Sequence, residues 1–244
     1  MGSGNPIHHS AFVAAIDLHQ AGEEKVVLVE HRASIVHKED GNEFVQGHGW
    51  GLPGGMQDEN NLEEPAQATA EREFFEEVRG LEIKINDEVV FFEKPDPESR
   101  YGVHTFFADG RGVSPYPFET SDPLIIDCRW FYLRKLPFRK KDPLTRETVP
   151  VIYHSSFARI IAILLLLKKE PLAIEILEEA PWHYSSHQGI LRVFQDMGRD
   201  DLVEKFRTLS QEELDILEAE DALVSPSEKR AIESLLEDLS PIYQ

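Results

Sequence analysis

Three glutamates stand close together in the sequence, and their spacing places them on one side of a helix. Glu73, Glu76 and Glu77 are three and four residues apart, which brings side chains to the same face of an α-helix. Like charges this close repel one another, and a cation among them removes that cost. Carboxylate oxygens with open positions for water and phosphate suit Mg²⁺ or Mn²⁺. An isolated acidic triplet is more often a solvated surface. The neighbouring sequence must therefore show whether these glutamates form a cation site.

A glycine-rich segment precedes this helix. Residues 50–55 read Trp-Gly-Leu-Pro-Gly-Gly, and so much glycine and proline predicts irregular backbone. Gly54 and Gly55 let the chain turn tightly and let a main-chain carbonyl approach a ligand closely. Pro65 suits the first turn of a helix that we predict over residues 66–78. The order of loop and helix therefore predicts that backbone oxygens and carboxylates share one site.

Together these features resemble the Nudix box. The residues that carry the resemblance are Gly55, Glu64, Arg72-Glu73, Phe74 and Glu76-Glu77. The sequence departs from the family pattern in two places. Eight residues instead of five separate Gly55 from Glu64, and two residues instead of one separate Glu77 from Gly80. Both insertions lie outside the core of the motif, so they affect loop geometry more than cation binding.

The resemblance implies a hydrolase that acts on phosphorus-containing acid anhydrides. Water would attack a phosphorus of a nucleoside diphosphate linked to another group, and the cation would lower the pKa of that water. Arg72 would orient a box carboxylate through its guanidinium fork, while Glu64 would support the loop. The implied ligands of Mg²⁺ or Mn²⁺ are Glu73, Glu76, Glu77 and the Gly55 carbonyl.

Substrate contacts and the general base lie outside the motif. The candidates for contact with a base or a phosphate are Arg32, His48, Trp50 and Tyr101. The general base is open between a box glutamate and five other carboxylates: Glu93, Glu98, Asp109, Glu119 and Asp122. ADP-ribose or a nucleotide sugar is the favoured substrate class. Nucleoside triphosphates and dinucleoside polyphosphates stay open.

The sequence as a whole predicts an α+β fold. The resemblance covers residues 10–140 and implies an α/β/α sandwich around a mixed sheet. Beyond residue 150 the pattern changes to helices, which we predict over 155–169, 172–179, 187–197, 200–209, 211–222 and 227–239. We therefore divide the chain into an N-terminal segment (1–9), a Nudix-type domain (10–145) and an all-helical C-terminal region (146–244).

Composition limits the partners and the compartment. The formal net charge of −20 opposes adhesion to nucleic acid and to anionic membranes. The longest apolar run, residues 160–167, is too short to span a bilayer and is predicted to be a buried contact helix. The N-terminus lacks the pattern of a secretory signal. We expect a cytoplasmic protein with a small-molecule nucleotide substrate and no membrane or nucleic-acid partner. Homodimerisation through the helical region stays open.

Two other functions compete with hydrolysis. A non-catalytic nucleotide sensor would bind its ligand in the Nudix domain and a partner through the helical tail, but it would not need the intact glutamates. A Nudix-fold isomerase of prenyl diphosphates is the other reading. The single cysteine, Cys128, falls in a predicted strand near the domain exit and argues against it.

Overall fold

A mixed β-sheet forms the centre of the molecule. The computed structural model describes residues 8–32, 34–37, 43–46, 48–58, 60–78, 84–93, 101–111, 122–137, 151–179 and 184–207. Their strands are β1 (His8–Asp17), β2 (Lys25–His31), β3 (Ser34–His37), β4 (Glu43–Gln46), β5 (Gly49–Gly51), β6 (Gly54–Met56), β7 (Ile85–Glu93), β8 (Tyr101–Asp109), β9 (Ile125–Tyr132) and β10 (Val151–Ile152).

The strand order of the main sheet is β10-β5-β2-β1-β8-β7, with β6 beside β1 and β9 beside β2. Strands β1 and β8 pair in parallel, as do β10 and β5, while the other pairs in this sheet are antiparallel. Strands β3 and β4 form a separate antiparallel pair. The mixed sheet that the sequence predicts is thus confirmed.

Strand β1 lies inside the sheet and buries both of its faces. Ala11, Val13 and Ala15 belong to one hydrophobic cluster, whereas Ala14 and Ile16 belong to another. All five side chains are completely buried. Because successive side chains on a strand point to opposite faces, this apolar run requires a layer of helix on each side of the sheet.

One face is covered by α1 (Ala66–Glu77), which confirms the helix predicted over 66–78. Ala70, Phe74 and Val78 recur at helical spacing, are fully buried and pack in the same cluster as Ala11 and its neighbours. An apolar stripe of this kind fixes the rotation of a helix on the sheet. The remaining faces of α1 are therefore free to carry charge.

The opposite face is covered by helices of the C-terminal region. In the described residues these are α2 (His154–Leu166), α3 (Glu170–Glu179), α4 (Tyr184–Asp196) and α5 (Asp200–Phe206). Residues 160–164 of α2 are completely buried and join the cluster of Ala14 and Ile16. The predicted α/β/α sandwich and helical C-terminal region are confirmed.

Some predictions fall on parts of the chain outside the described residues. These are the helices at 211–222 and 227–239 and the domain boundary at 145/146. Among the helices that are described, none is both long enough and apolar enough to cross a membrane.

The prediction of irregular backbone over residues 50–55 holds for residues 52–53, but it is wrong for 50–51 and 54–55, which belong to β5 and β6. Strands β1 and β2 pair at Ile16 and Val26, and further along β2 pairs with β5 while β1 pairs with β6. The glycine-rich segment thus bridges the two central strands as a pair of short strands. Pairing with neighbouring strands here overrides the low strand propensity of glycine.

Candidate active site at the box helix

Glu77 is the most deeply buried carboxylate of the box. Its exposed fraction is 3%, and its Oε2 accepts a hydrogen bond of 2.8 Å from the Gly54 N–H. Burial raises the pKa of Glu77 well above its usual range, and the negative charges of Asp122, Glu73 and Glu76 raise it further. A positive charge placed here would offset the cost of burying a carboxylate among other carboxylates.

The loop before the helix approaches these carboxylates through two glycines. Gly54 has a φ of 145°, and a Cβ there would overlap the backbone carbonyl of Ala11. A Cβ on Gly55 would overlap the carboxylate of Glu73. Glycine is therefore required at residue 54 by the fold and at residue 55 by the proximity of the loop to a box glutamate.

Arg72 forms hydrogen bonds with two box glutamates and with the loop. Its Nη1 donates to Glu73 Oε1 at 2.6 Å, and its Nε and Nη2 donate to the two carboxylate oxygens of Glu64 at 3.1 and 3.2 Å. Nη2 also donates to the carbonyl of Met56 at 3.0 Å. Such a planar fork holds its partners in defined directions. The Arg72 guanidinium lowers the pKa of Glu64 to about 2.

Glu73 and Glu76 differ in their surroundings. Burial raises the pKa of Glu73, and the hydrogen bond from Arg72 opposes that effect. The Glu76 side chain is 52% exposed and lies 3.6 Å from Arg72 Nη1. Arg72 therefore lies between these two predicted ligands, whereas Glu77 bonds to the backbone of the loop.

The chemistry of these donors fits a divalent cation, although they are not arranged as a coordination shell. Within the described residues, no group of three or more His, Cys, Asp or Glu side chains is placed to hold a metal ion. The contacts with Arg72 and with the Gly54 N–H account for the present directions of the carboxylates. Hard oxygen donors around a buried carboxylate nevertheless match the preference of Mg²⁺ or Mn²⁺.

A further set of polar contacts supports Glu64 and was not predicted from the sequence. Thr69 Oγ1 donates to Glu64 Oε2 at 2.8 Å, and the Asp58 N–H donates to the same oxygen at 3.1 Å. His9 Nε2 lies 3.0 Å from Thr69 Oγ1. His9 comes from β1, sixty residues before Thr69, so no local pattern in the sequence indicates this contact.

The four predicted substrate contacts lie in different environments. Arg32 is exposed, and its N–H donates to the Leu124 carbonyl at 2.8 Å. His48 is also exposed, with Nε2 2.8 Å from Glu30 Oε1. Arg32 directly follows the end of β2, and His48 contacts Glu30 of the same strand.

The other two predicted contacts are engaged within the protein. Trp50 is only 5% exposed and packs edge-to-face on Phe131 at 4.7 Å between ring centroids. It is a core residue of the α2 side of the sheet. The Tyr101 hydroxyl hydrogen-bonds to Ser10 Oγ. Contact of either residue with a substrate stays a prediction.

Among the described candidates for the general base outside the box, Asp122 is the one whose negative charge raises the pKa of box glutamates. Its charge acts on both Glu73 and Glu77, and its Oδ1 accepts the Leu124 N–H at 2.7 Å. Glu93 instead pairs with Arg159 at 2.6 Å.

The remaining candidates do not join Asp122. Asp109 pairs with Arg111 at 2.5 Å. Glu98 and Glu119 lie outside the described residues. Cys128, the single cysteine of the chain, is buried in β9. Burial raises the pKa of its thiol, which disfavours the reactive thiolate.

Comparison with known proteins assigns a family. Residues 8–152 match the NUDIX domain, which is more than half of the 244-residue chain. No curated protein matches the sequence closely enough to count as a relative.

The chain is also similar to solved structures at low identity. One is the NUDIX domain of Shewanella oneidensis NrtR complexed with ADP ribose, at 17% identity and a TM-score of 0.42, covering 67% of this chain and 87% of that one. A second is a C. elegans Ap4A hydrolase binary complex, at 16% identity and a TM-score of 0.37, covering 52% of this chain and 81% of that one. A third is a MutT NUDIX hydrolase from Burkholderia pseudomallei, at 19% identity and a TM-score of 0.33, covering 57% of this chain and 92% of that one.

At these scores the solved structures carry no argument about substrate. The assignment rests on the family match, and it agrees with the box motif. The chain belongs to the NUDIX family, and it is a hydrolase of pyrophosphate bonds.

Proposed function

We propose that this protein is a pyrophosphohydrolase that depends on Mg²⁺ or Mn²⁺ and cleaves a nucleoside diphosphate derivative of the ADP-ribose or nucleotide-sugar type. The observation that carries the proposal is the burial of the Glu77 carboxylate beside the negative charges of Glu73, Glu76 and Asp122. A protein gains nothing in stability from such a cluster, because each buried charge raises the cost of the next. A divalent cation bound among these carboxylates would offset that cost.

The ligands of the cation would be Glu73, Glu76, Glu77 and the carbonyl of Gly55. When bound, the cation would polarise the phosphoryl oxygens and acidify the attacking water. The chain itself positions the carboxylates and the loop. Gly55 has no side chain, so the loop can lie against Glu73, and the Gly54 N–H fixes one oxygen of Glu77.

Arg72 and Asp122 take two further roles in this proposal. Arg72 is a positioning residue, since it holds Glu73 at 2.6 Å while Glu64 and the Met56 carbonyl hold Arg72. Asp122 is the general base that takes a proton from the attacking water. Its backbone turn is anchored to the end of β2 through the Arg32 N–H and the Leu124 carbonyl.

The net charge of the chain supports this substrate class. A protein with a formal net charge of −20 repels polyanions, and a diphosphate diester carries fewer charges than a triphosphate. Arg32 and His48 are the exposed predicted contacts and would meet the phosphates and the adjoining sugar or base. We retain Trp50 and Tyr101 as weaker candidates because their side chains contact protein groups.

A substrate panel with metal titration tests the proposal. The purified chain is mixed with ADP-ribose, nucleotide sugars, nucleoside triphosphates and dinucleoside polyphosphates at a series of Mg²⁺ and Mn²⁺ concentrations. We expect turnover that requires the metal and is fastest with a diphosphate diester. Glu71→Gln is a matched control. Glu71 lies on the same helix but is exposed, and its Oε1 accepts a hydrogen bond of 3.0 Å from Gln67 Nε2.

Two outcomes would contradict the proposal. Absence of product from every substrate at every metal concentration would exclude hydrolysis of the tested classes, and tight binding without turnover would favour the nucleotide sensor. Faster turnover of triphosphates would contradict the substrate class while leaving hydrolysis intact.

A further inference from the structure

His9 is a buried polar residue that the proposed reaction does not use. It lies at the start of β1, is 7% exposed, and places Nε2 3.0 Å from Thr69 Oγ1 on α1. Thr69 is completely buried. A polar contact that excludes water in this way is costly to break, because either group would be left without its hydrogen bond.

The directions of the hydrogen bonds follow from the number of protons. A threonine hydroxyl has a single proton to donate. Glu64 Oε2 accepts it at 2.8 Å, whereas the alternative acceptor, the Pro65 carbonyl, is 3.4 Å away. If Thr69 donated to His9 instead, its lone pairs would face a carboxylate. The proton between His9 and Thr69 therefore belongs to His9 Nε2.

The hydrogen bonds continue from Glu64 towards the box. Both oxygens of Glu64 accept N–H groups of Arg72, at 3.1 and 3.2 Å, and Arg72 Nη1 donates to Glu73 at 2.6 Å. The result is one hydrogen-bond chain, which is buried at His9 and Thr69 and partly buried further along. Its members are His9, Thr69, Glu64, Arg72 and Glu73. Each member restricts the direction of the next, since guanidinium and carboxylate groups are planar.

We propose that His9 is a positioning residue, which sets the direction of the Glu73 carboxylate through this hydrogen-bond chain. The inference rests on the proposed function in one respect, namely that Glu73 is a ligand of the cation. Groups that orient metal ligands from outside the coordination shell affect metal affinity by about 10- to 100-fold. His9 acts from further away, so we expect about 10-fold.

The competing role for His9 is packing alone. Its ring meets the His104 ring edge-to-face at 5.8 Å between centroids, and an imidazole in that place fills space whether or not it donates a proton. The two roles differ in what a substitution must preserve. Positioning needs a donor at the place of Nε2, whereas packing needs only volume.

Variants at residue 9 separate the two roles. In His9→Gln the amide nitrogen reaches the place of Nε2, while in His9→Asn it reaches only the place of Nδ1. Binding of Mn²⁺ to the full chain is measured from the paramagnetic resonance of the free ion. We expect His9→Asn to weaken Mn²⁺ binding about 10-fold and His9→Gln to restore most of the loss. Equal affinities for both variants and the wild type would overturn the proposal.

Variants of Thr69 test the second hydrogen bond without changing the shape of the core. Thr69→Val removes the hydroxyl and keeps the volume, whereas Thr69→Ser keeps the hydroxyl. We expect Thr69→Val to weaken Mn²⁺ binding as much as His9→Asn does, with no further loss in the double variant, because both break the same hydrogen-bond chain. Additive losses would show that His9 acts by another path and would overturn the proposal.

A measurement without metal keeps the inference apart from the proposed function. Long-range proton–nitrogen NMR correlations identify which imidazole nitrogen of His9 carries the proton. A proton on Nε2 in the wild type, whose signal moves in Thr69→Val, supports the hydrogen-bond chain even if the protein binds no Mn²⁺. A neutral ring protonated only on Nδ1 overturns it, whatever the enzyme assay shows.

Discussion

The two faces of the sheet carry helices of opposite character. Helix α2 is covered on nearly all sides, with residues 160–164 completely buried and one buried cation, Arg159, paired with Glu93. Helix α1 buries only a narrow apolar stripe. Its other buried positions hold Thr69 and the carboxylate of Glu77.

This difference means that the α2 face mainly stabilises the fold, whereas the α1 face carries the groups proposed to act in the reaction. The α2 face gains free energy from buried apolar surface, at about 25 cal/mol per Å². The α1 face instead keeps carboxylates close together and partly desolvated, which costs free energy unless a cation is present. Changes on the two faces should therefore have opposite effects, and the following substitutions test that expectation.

Glu77→Gln should have the largest effect on the reaction. It removes the buried charge but keeps an oxygen that can accept the Gly54 N–H. We expect the rate to fall by at least about 1000-fold, because electrostatic stabilisation by a bound metal is worth several kcal/mol. Without metal, the melting temperature should stay equal or rise, since an uncompensated carboxylate has been neutralised.

The measurements for Glu77→Gln are kcat with Mg²⁺ and the melting temperature in a chelator. A fall of several degrees in the chelator would show that the Glu77 carboxylate stabilises the fold, contrary to the comparison of the two faces. Glu71→Gln, on the outer side of the same helix, should change neither quantity.

Ile161→Ala tests the other face. Ile161 is completely buried in α2, so removing its side chain leaves a cavity and should lower the free energy of unfolding by about 3 kcal/mol. Denaturant unfolding measures this loss. The kcat of the folded fraction should stay within about 2-fold of wild type, since apolar truncation far from a site usually leaves its charges unchanged. A parallel loss of kcat would mean that α2 controls the site.

Local patterns in the sequence predicted much of this molecule. The stripe of Ala70, Phe74 and Val78 repeats within one helix, and the apolar run of β1 lies within one strand, so both are visible without a structure. The close spacing of Glu73, Glu76 and Glu77 is likewise local. Their closeness to one another follows from the helix itself.

Contacts between distant segments were not predictable in the same way. Strands β5 and β6 form because β2 and β1 diverge and need partners, which the glycine content of the segment does not reveal. The ring of Trp50 packs on Phe131, eighty-one residues later. The His9 contact with Thr69 joins a strand to a helix across sixty residues.

Substitutions at two adjacent glycines, Gly54 and Gly55, should affect the stability of the fold and the reaction separately. The atoms nearest to a Cβ on Gly55 would be those of the Glu73 carboxylate, the far end of a flexible side chain. Gly55→Ala should therefore displace that carboxylate and lower activity by about 10- to 100-fold with little change in melting temperature.

Gly54→Ala is the contrasting variant. Its Cβ would overlap the Ala11 carbonyl, which belongs to β1, and its φ of 145° strains any other residue. We expect a loss of more than about 1 kcal/mol in unfolding free energy. Activity at saturating metal and melting temperature are compared for the two variants. If both variants lost activity and melting temperature to the same extent, the two glycines would not have separate roles in the fold and in the reaction.

A further prediction concerns the pH dependence of the Glu64–Arg72 pair. The pKa of Glu64 is about 2 in the folded protein, against an ordinary value of 4.5, chiefly because of its hydrogen bonds with Arg72. A lowered pKa means that the pair stabilises the fold fully above pH 4.5 and loses that contribution as the pH falls towards 2. Allowing for solvent screening, the contribution is roughly 2 kcal/mol.

Glu64→Gln should therefore lower the free energy of unfolding by about 2 kcal/mol at pH 7 and by progressively less below pH 4.5. Urea unfolding at a series of pH values measures the difference between variant and wild type, and Glu63→Gln, at the exposed neighbouring residue, is the control. A difference that stays constant down to pH 3 would mean that the Glu64 side chain acts by its shape instead of its charge. The α1 face would then resemble the α2 face, where packing determines stability.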